Sequence, residues 1–280
     1  MVVLEIGFSK AMNAKVIGTG EETIVLAHGY GGDQSVWDKI VPDLTKHFRV
    51  LVFDWKFSGA IKDDEEEQFE PEKYASYDAF ADDLIYLLEE MDILSSSPVV
   101  FAGHSMSGMI GCIASIKRPE LFKRLILIGA SPRYINIDDY EGGFKKSDID
   151  DIISNIESNF QNWAPAFASL AVDATDSESI QKFTNCLFNM NPKYALSVAK
   201  TVFYCDEREI LDKVSTPCTI IQTTNDIVVP NSVAYYMQEK IKGKCTVELI
   251  DTDGHFPHLT APRQLFDVFT AVLGLSSIKI

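Results

Sequence analysis

The chain of 280 residues has few cysteines, no long apolar run and fewer basic than acidic residues. Its five cysteines are an odd number, lie far apart and form no C-x-x-C pair, so they indicate neither a disulfide framework nor a metal or redox motif. We expect them to be reduced side chains that fill the core. No segment reaches about 18 consecutive apolar residues, and the start of the chain lacks a basic stretch followed by an apolar one. These absences predict a protein of the cytoplasm and nucleus without a membrane anchor.

The deficit of positive charge limits the possible partners. Lys and Arg number 25 against 41 Asp and Glu, which gives a formal net charge of −16 at pH 7. Such a charge repels phosphate backbones and anionic headgroups, so binding to nucleic acid or to a membrane surface is disfavoured. We expect neutral ligands and proteins as partners. The acidic run at residues 63–67 is predicted to be a solvated loop without a catalytic role.

Alternating strand and helix patterns predict an α/β fold. From residue 23 onward, short β-branched runs alternate with longer amphipathic stretches, as in a mostly parallel, doubly wound sheet flanked by helices. These runs are almost wholly apolar, which predicts strands buried on both faces. Helical spacing predicts helices over 78–91 and 109–116. The predicted strands are residues 23–26, 50–53, 99–102, 125–128, 219–222 and 247–250.

The alternation breaks between Pro132 and about Leu211, where helical patterns follow one another without a strand. Four helices are predicted, over 146–159, 163–171, 177–187 and 192–204. We therefore expect one domain with a core of residues 1–131 and 212–280. Residues 132–211 would form a four-helix lid, inserted after the sixth strand of the sheet.

A turn of small residues, GHSMSG at 103–108, directly follows the predicted strand 99–102. It resembles the G-x-S-x-G nucleophile elbow, a strained turn that projects a serine above the sheet. Ser107 stands where the second glycine is usual, but serine is small enough to preserve close packing. Ser105 is therefore the predicted nucleophile. It needs a base within hydrogen-bond reach and a third group that orients this base.

Asp226 and His255 are the predicted orienting carboxylate and general base. Each follows a predicted strand, at the sheet edge where parallel sheets place their ligands. The order Ser, Asp, His is that of the α/β-hydrolase fold. Asp251 and Asp253 compete with Asp226, but they precede His255 in its own loop, where a separate strand-end carboxylate is expected. The other histidines are His28, His47, His104 and His258.

Two main-chain amides are predicted to form the oxyanion hole. Met106 follows the nucleophile and supplies the first, and Tyr30, in the glycine-rich loop 27–32, is the candidate for the second. This loop lacks the Lys-Ser/Thr ending of a phosphate-binding P-loop and the G-x-G-x-x-G spacing. Neither a metal nor a cofactor is predicted, since no histidines and cysteines stand at ligand spacing.

Several segments together closely resemble the strigolactone and karrikin receptor hydrolases of plants, nearly from end to end. The likeness is nearest to their third, DWARF14-like subgroup, and it extends to bacterial RsbQ-like relatives. SPRY followed by GGF is the most specific of these motifs. The segments are VLAHGYG at 25–31, DQSVW at 33–37, GHSMS at 103–107, SPRY at 131–134, GGF at 142–144, LFNM at 187–190 and DGH at 253–255.

The resemblance implies a V-shaped lid over an apolar pocket, in which Ser105 slowly cleaves a butenolide linked through an ester or enol ether. It also implies a monomer that recruits an F-box protein and a repressor. This chain has Tyr30 where the family usually has Phe and Met106 in place of Val, and residues 54–59 also differ. The implied pocket wall consists of Tyr30, Tyr134, Phe144, Ile152, Trp163, Phe167 and Ile227.

Two other functions stay open on the sequence alone. A general carboxylesterase would turn over many small esters rapidly, without recruiting a partner. A signalling protein that retains the triad with little turnover would bind its ligand or partner equally well after Ser105→Ala. Haloalkane dehalogenases and epoxide hydrolases use an aspartate nucleophile, so a serine at the elbow argues against both.

Overall fold

One sheet of seven strands runs through the computed structural model, which describes residues 7–61, 69–91 and 97–275. The acidic run at 63–67 lies outside these ranges. The strands are β1 (Lys15–Ile17), β2 (Thr23–Ala27), β3 (Arg49–Val52), β4 (Val99–His104), β5 (Phe122–Ile128), β6 (Cys218–Asn225) and β7 (Cys245–Asp253). Their order is β1-β3-β2-β4-β5-β6-β7, with β1 antiparallel to β3 and all other neighbours parallel.

The six predicted strands are present, with ends that differ by a few residues. The sequence did not reveal β1, because its three residues are exposed and carry no burial pattern. The prediction that every strand is buried on both faces is wrong for β7, which is largely half-exposed and leaves Leu249 44% accessible. As the last strand of the described sheet, β7 has a neighbour on one side only among the residues that the structure covers.

Helices pack along the sheet, and its central strands are buried. None in the described ranges is long and apolar enough to cross a bilayer. The α-helices are α1 (Phe8–Ala11), α2 (Val41–Leu44), α3 (Tyr77–Glu90), α4 (Met106–Lys117), α5 (Lys146–Ala171), α6 (Ser177–Asn189), α7 (Pro192–Phe203), α8 (Asn231–Lys240), α9 (Pro257–Thr260) and α10 (Pro262–Leu273).

The helical insertion consists of α5, α6 and α7. Helix α5 is interrupted at Asn159, whose φ of −150° and ψ of 41° are not helical, so it has two helical halves. The insertion follows β5, the fifth strand of the described sheet, so the described residues do not confirm a sixth strand before it. Only β1 precedes β2 in the described part of the chain, which leaves one strand fewer than we expected.

The two ends of the insertion are joined to each other. The main-chain N–H of Glu207 donates to the carbonyl of Pro132 at 2.7 Å. The carboxylate of Asp206 accepts from Arg133 Nη1 at 2.6 Å and from Arg208 Nε at 2.7 Å. These bonds, with Arg208 the larger contributor, lower the pKa of Asp206. A charged clamp therefore closes the base of the lid.

The winding of the sheet reverses around β2, which determines where a site can form. The chain passes from β2 to β3 on one side and later to β4 on the other. Ala27 at the end of β2 pairs in register with Gly103 of β4. Crevices at such reversals, outside the carboxyl ends of the strands, are where α/β sheets bind ligands. The glycine-rich loop and the elbow therefore lie side by side.

Gly59 allows the loop after β3 to pack against the end of α6. A Cβ at this position would lie 2.2 Å from the main-chain carbon of Asn189 and 2.3 Å from its oxygen. We expect Gly59→Ala to lower the free energy of unfolding by about 1–3 kcal/mol, since backbone must move to admit the methyl group. Urea and thermal unfolding measure this loss. Gly32→Ala is the control, because its Cβ would meet nothing closer than 3.5 Å. Equal stability of the two variants would contradict the prediction.

Candidate active site

Ser105 lies in a strained turn between β4 and α4. Its φ is 56° and its ψ is −123°, a conformation that costs a residue with a side chain about 1–3 kcal/mol. Small neighbours make the turn possible: a Cβ at Gly103 would lie 2.5 Å from Ser107 O, and one at Gly108 would lie 2.5 Å from the Cβ of Ala130. The N–H of Ser105 donates to Ile128 O at 2.8 Å, which ties the turn to β5.

Ser107, which replaces the usual glycine, has a defined partner network. Its Oγ donates to the main-chain carbonyl of His28 at 2.5 Å and accepts from Trp55 Nε1 at 2.9 Å. The main-chain N–H of Trp55 donates to His28 Nε2 at 3.1 Å. One buried network therefore joins the loops that follow β2, β3 and β4. The extra hydroxyl supports the elbow by holding the glycine-rich loop against it.

Asp226 and His255 form a buried pair. His255 Nδ1 lies 2.6 Å from Asp226 Oδ2, and the two side chains are 5% and 1% exposed. The other oxygen of Asp226 accepts from the main-chain N–H groups of Val228 at 2.8 Å and Val229 at 3.1 Å. Gln222 Nε2 donates to Oδ2 at 2.9 Å. These bonds fix the carboxylate, and the carboxylate in turn fixes the ring of His255.

The competing carboxylates point to other partners. Asp251 accepts from Thr224 Oγ1 at 3.2 Å, and Asp253 accepts from Asn225 Nδ2 at 2.7 Å. Both lie on the exposed side of β7. His255 is therefore paired with the carboxylate at the end of β6 and not with those of its own loop.

Ser105 and His255 line the same small cavity but are not hydrogen-bonded to each other. The hydroxyl of Ser105 lies 3.3 Å from that of Tyr134, and His255 Nε2 is buried without a partner among the described residues. Burial raises the pKa of Tyr134, so its hydroxyl stays protonated at neutral pH. In unliganded enzymes, hydrogen bonds between nucleophile and base are often long and tighten when substrate binds.

The loop that carries His255 is wedged against the lid. The N–H of His255 donates to the carbonyl of Ala171, the last residue of α5, at 2.7 Å. Gly254 has a φ of 83°, and a Cβ there would lie 2.8 Å from Asp173 N. No side chain fits between this loop and the end of α5. The lid thus contacts the main chain of the base directly.

The two predicted oxyanion amides lie beside Ser105. Met106 is the first residue of α4, where an N–H has no partner within its helix. A Cβ at Gly29, the residue before Tyr30, would lie 3.0 Å from the Cβ of Ser105. No described residue accepts a hydrogen bond from the N–H of Tyr30 or of Met106. Both amides are therefore free to bind a developing negative charge.

The cavity next to Ser105 is small and mostly aromatic. Its volume is about 20 Å³, enough for about one water molecule. Ligand sites are usually about 300–1,000 Å³. A larger groove of about 340 Å³ lies outside, between α3 and α7, and contains none of the predicted site residues. The cavity is lined by Tyr30, His104, Ser105, Tyr134, Phe167, Phe183, Val202, Phe203, Val228, His255 and Phe256.

Three of the seven residues of the implied pocket wall line this cavity. These three are Tyr30, Tyr134 and Phe167, and the other four lie outside the cavity lining. The role of all seven in substrate binding stays a prediction. Two of the other four lie one layer behind the wall, since Trp163 stacks on Phe167 and Phe144 packs against Phe203. The other two lie further out: Ile227 is 54% exposed, and Ile152 is only partly buried on α5.

The remaining lining residues were missed, and most had no distinctive signal in the sequence. Phe183 and Phe203 occupy apolar faces of α6 and α7. On such a face, the sequence pattern does not distinguish an aromatic residue that lines a cavity from one that packs in the lid core. Val228 and Phe256 were more accessible to prediction, because they stand two residues and one residue after the predicted Asp226 and His255. Loops that position catalytic side chains usually contribute neighbours to the same cavity.

Comparison with known proteins places this architecture among the hydrolases. The family described as alpha/beta hydrolase fold matches residues 22–262. The chain is 46% identical to "Karrikin insensitive 2 receptor IA" of Petunia hybrida over 91% of both chains. It is 44% identical to "Strigolactone esterase RMS3" of Pisum sativum, over 91% of this chain and 94% of that one. A hydrolase from Oleispira antarctica superposes with a TM-score of 0.89 at 32% identity, over 96% of this chain and 97% of that one.

Three further histidines are buried around the pair. Burial, the largest cause in each case, lowers the pKa of His28, His104 and His258, that of His258 to about 3. The ring of His258 packs 4.4 Å from that of Trp37 and 4.6 Å from that of His104, and neither of its nitrogens has a partner among the described residues. The described residues also contain no cluster of three potential metal ligands.

The depressed pKa of His258 makes stability depend on pH. The folded protein keeps this ring neutral, whereas the unfolded chain binds a proton below pH 6.5. The contribution of the neutral His258 ring to the free energy of unfolding is therefore fully present above pH 6.5 and is lost as the pH falls toward 3. We expect His258→Phe to reduce the slope of unfolding free energy against pH by up to about 1.4 kcal/mol per unit. Urea unfolding between about pH 8 and about pH 5 measures the slope. An unchanged slope would contradict this expectation.

Proposed function

The chain belongs to the α/β-hydrolase family, in the branch that holds the karrikin receptors and strigolactone esterases of plants, and from that premise we propose that it perceives and cleaves a small butenolide. In this proposal it is a serine hydrolase that acts slowly by acyl transfer through Ser105, on a butenolide resembling a strigolactone or karrikin. The relatives of both kinds are about equally similar, so the proposal names the butenolide class and no individual ligand.

One observation carries the proposal. His255, paired with Asp226 at 2.6 Å, shares an aromatic cavity with a serine held in a strained elbow, beneath a helical lid. A buried carboxylate that fixes an imidazole beside a serine is the arrangement that acyl transfer requires. The aromatic and aliphatic walls favour a flat, weakly polar substrate, which a butenolide ring is.

The first half of the reaction forms an acyl-enzyme. Ser105 Oγ attacks the ring carbonyl while its proton passes to His255 Nε2, which has no partner among the described residues. Asp226 holds the other nitrogen and stabilises the imidazolium. The amides of Tyr30 and Met106 bind the oxyanion, and each such donor typically contributes about 10²–10³ in rate. When the tetrahedral intermediate collapses, the single bond between the carbonyl carbon and the ring oxygen breaks. The ring oxygen then takes the proton from His255.

The second half releases the acyl group. His255 removes a proton from a water molecule, whose oxygen attacks the acyl carbon, and the proton returns to Ser105 as the serine ester breaks. The cavity is small and holds about one water molecule in volume. Water supply and product exit therefore depend on movement of the walls, which agrees with slow turnover.

We also propose an oligomeric state, a compartment and partners for the protein. By likeness to its relatives it acts as a monomer in the cytoplasm and nucleus, binds a small apolar butenolide and recruits an F-box protein and a repressor. It needs no cofactor. The formal charge of −16 continues to disfavour nucleic acid and anionic membranes as partners.

The catalytic assignment predicts a covalent adduct that depends on Ser105. After incubation with a synthetic butenolide, intact-protein mass spectrometry should detect an acyl adduct or product release in the wild type and neither with Ser105→Ala. Asp226→Asn should slow the reaction by about 10⁴-fold, since it favours the wrong tautomer of the base. Ser115→Ala is the matched control: this buried serine lies on α4, bonds within the helix to Cys112 O and should leave the reaction unchanged.

Two other outcomes would each select a different function. Rapid cleavage of simple acetate esters without any butenolide reaction would identify a general carboxylesterase. Butenolide binding that is unchanged in Ser105→Ala and is accompanied by no turnover would identify a signalling protein whose triad is idle.

Tyr30 links the core to the lid through its hydroxyl, which donates to the carbonyl of Ala195 on α7 at 3.1 Å. We expect Tyr30→Phe to lower stability by about 1 kcal/mol and to speed butenolide association, because one tie across the cavity is lost while the main-chain amide stays. Stopped-flow tryptophan fluorescence measures association. Tyr86→Phe, at a tyrosine that is 53% exposed on α3, is the control. Association as slow as in the wild type would show that this tie does not limit entry.

A further inference from the structure

The main-chain carbonyl of His255 is bound by the side chain that precedes the nucleophile. His104 Nε2 lies 2.9 Å from His255 O, and both residues are buried. A carbonyl oxygen can only accept a hydrogen bond, so the proton of this bond belongs to His104 Nε2. His104 and Ser105 are consecutive, so one short stretch of main chain carries both the nucleophile and a contact to the base.

We propose that His104 is a positioning residue, whose Nε2–H holds the main chain of His255 and thereby fixes the imidazole relative to Ser105. The proposal rests on the proposed Ser105–His255 chemistry. It assigns His104 no contact with the reacting atoms of the substrate.

The topology explains why such a contact is needed. Ser105 follows β4, whereas His255 follows β7, which lies three strands away in the sheet. The other bonds of His255 come from elsewhere, with its ring held by Asp226 after β6 and its N–H by Ala171 of the lid. Among the hydrogen bonds of the described residues, only that of His104 connects His255 directly to the elbow strand.

The surroundings of His104 keep it a neutral donor. Its Nδ1 has no partner among the described residues, and a Cβ at Gly29 would lie 2.8 Å from it. Burial, followed by the nearby rings of His258 and His255, holds the pKa of His104 well below its usual range. A neutral ring with its single proton on Nε2 fits one role, donation to His255 O. Displacing reacting groups by about 1 Å can cost about 10²-fold in rate.

Three variants separate positioning from packing. His104→Gln keeps an amide N–H at a similar reach, whereas His104→Phe keeps a ring and loses the donor. His258→Phe changes the ring that packs 4.6 Å from His104 but removes no hydrogen bond of the described residues. Should His104→Phe fail to fold, His104→Met replaces it, because methionine also fills the space without a donor.

The readout is the rate at which a fluorophosphonate labels Ser105, together with kcat and KM for an acetate ester. In labelling, the serine oxygen–phosphorus bond forms, fluoride leaves and the proton passes to His255, so no butenolide is needed. We expect His104→Phe to lower the labelling rate and kcat by about 10- to 100-fold with KM unchanged. His104→Gln should recover most of the rate, and His258→Phe should match the wild type. The low-field proton resonance of His255 Nδ1–H should persist in His104→Gln and shift or broaden in His104→Phe.

Each failure has a distinct meaning. A folded His104→Phe that labels as fast as the wild type would overturn the positioning role and leave the triad intact. Equal losses of labelling rate in His104→Phe, His104→Gln and His258→Phe would show that His104 contributes only by packing. That result would also overturn its positioning role. A wild type that does not label at all would overturn the proposed hydrolase, and the positioning role with it.

Discussion

The carboxyl edge of the sheet is built around the backbone of Ser105, held at a φ of 56° and a ψ of −123°. Such strain persists only where the surrounding structure determines it many times over. Around Ser105, Gly103 and Gly108 leave no room for a side chain, which keeps the turn tight. The hydroxyl of Ser107 ties the turn to His28 and Trp55. The loops after three strands therefore act together to hold one residue in this conformation.

The fold was largely predictable because its signals are local and repeated. Apolar β-branched runs marked the six parallel strands, and helical spacing marked the lid, including the separation of its first two helices, which the structure places at Asn159. The exposed β1 carries no such pattern, so nothing in the sequence marks it as a strand. The exposure of β7 follows from its place at the end of the sheet, which no single strand's sequence encodes.

The candidate site also has one part that the sequence predicts and one part that it does not. Ser105, Asp226 and His255 stand at strand ends, where topology converts distance along the chain into proximity, so their convergence could be predicted. The cavity wall could not, because it depends on how lid aromatics rotate and stack. Trp163 lies behind Phe167 instead of beside it, a difference of packing that an amphipathic pattern does not reveal. The sequence offers His104 only as one histidine among several, since its contact with His255 O is visible only in three dimensions.

The bond between Ala171 O and His255 N makes access and chemistry compete. A cavity of about 20 Å³ has to widen before a butenolide enters, and any widening that carries the end of α5 outward strains or breaks this bond. The protein is then open with a loosened base, or closed with a fixed one. Admitting a ligand and holding the general base are thus opposed at one main-chain hydrogen bond.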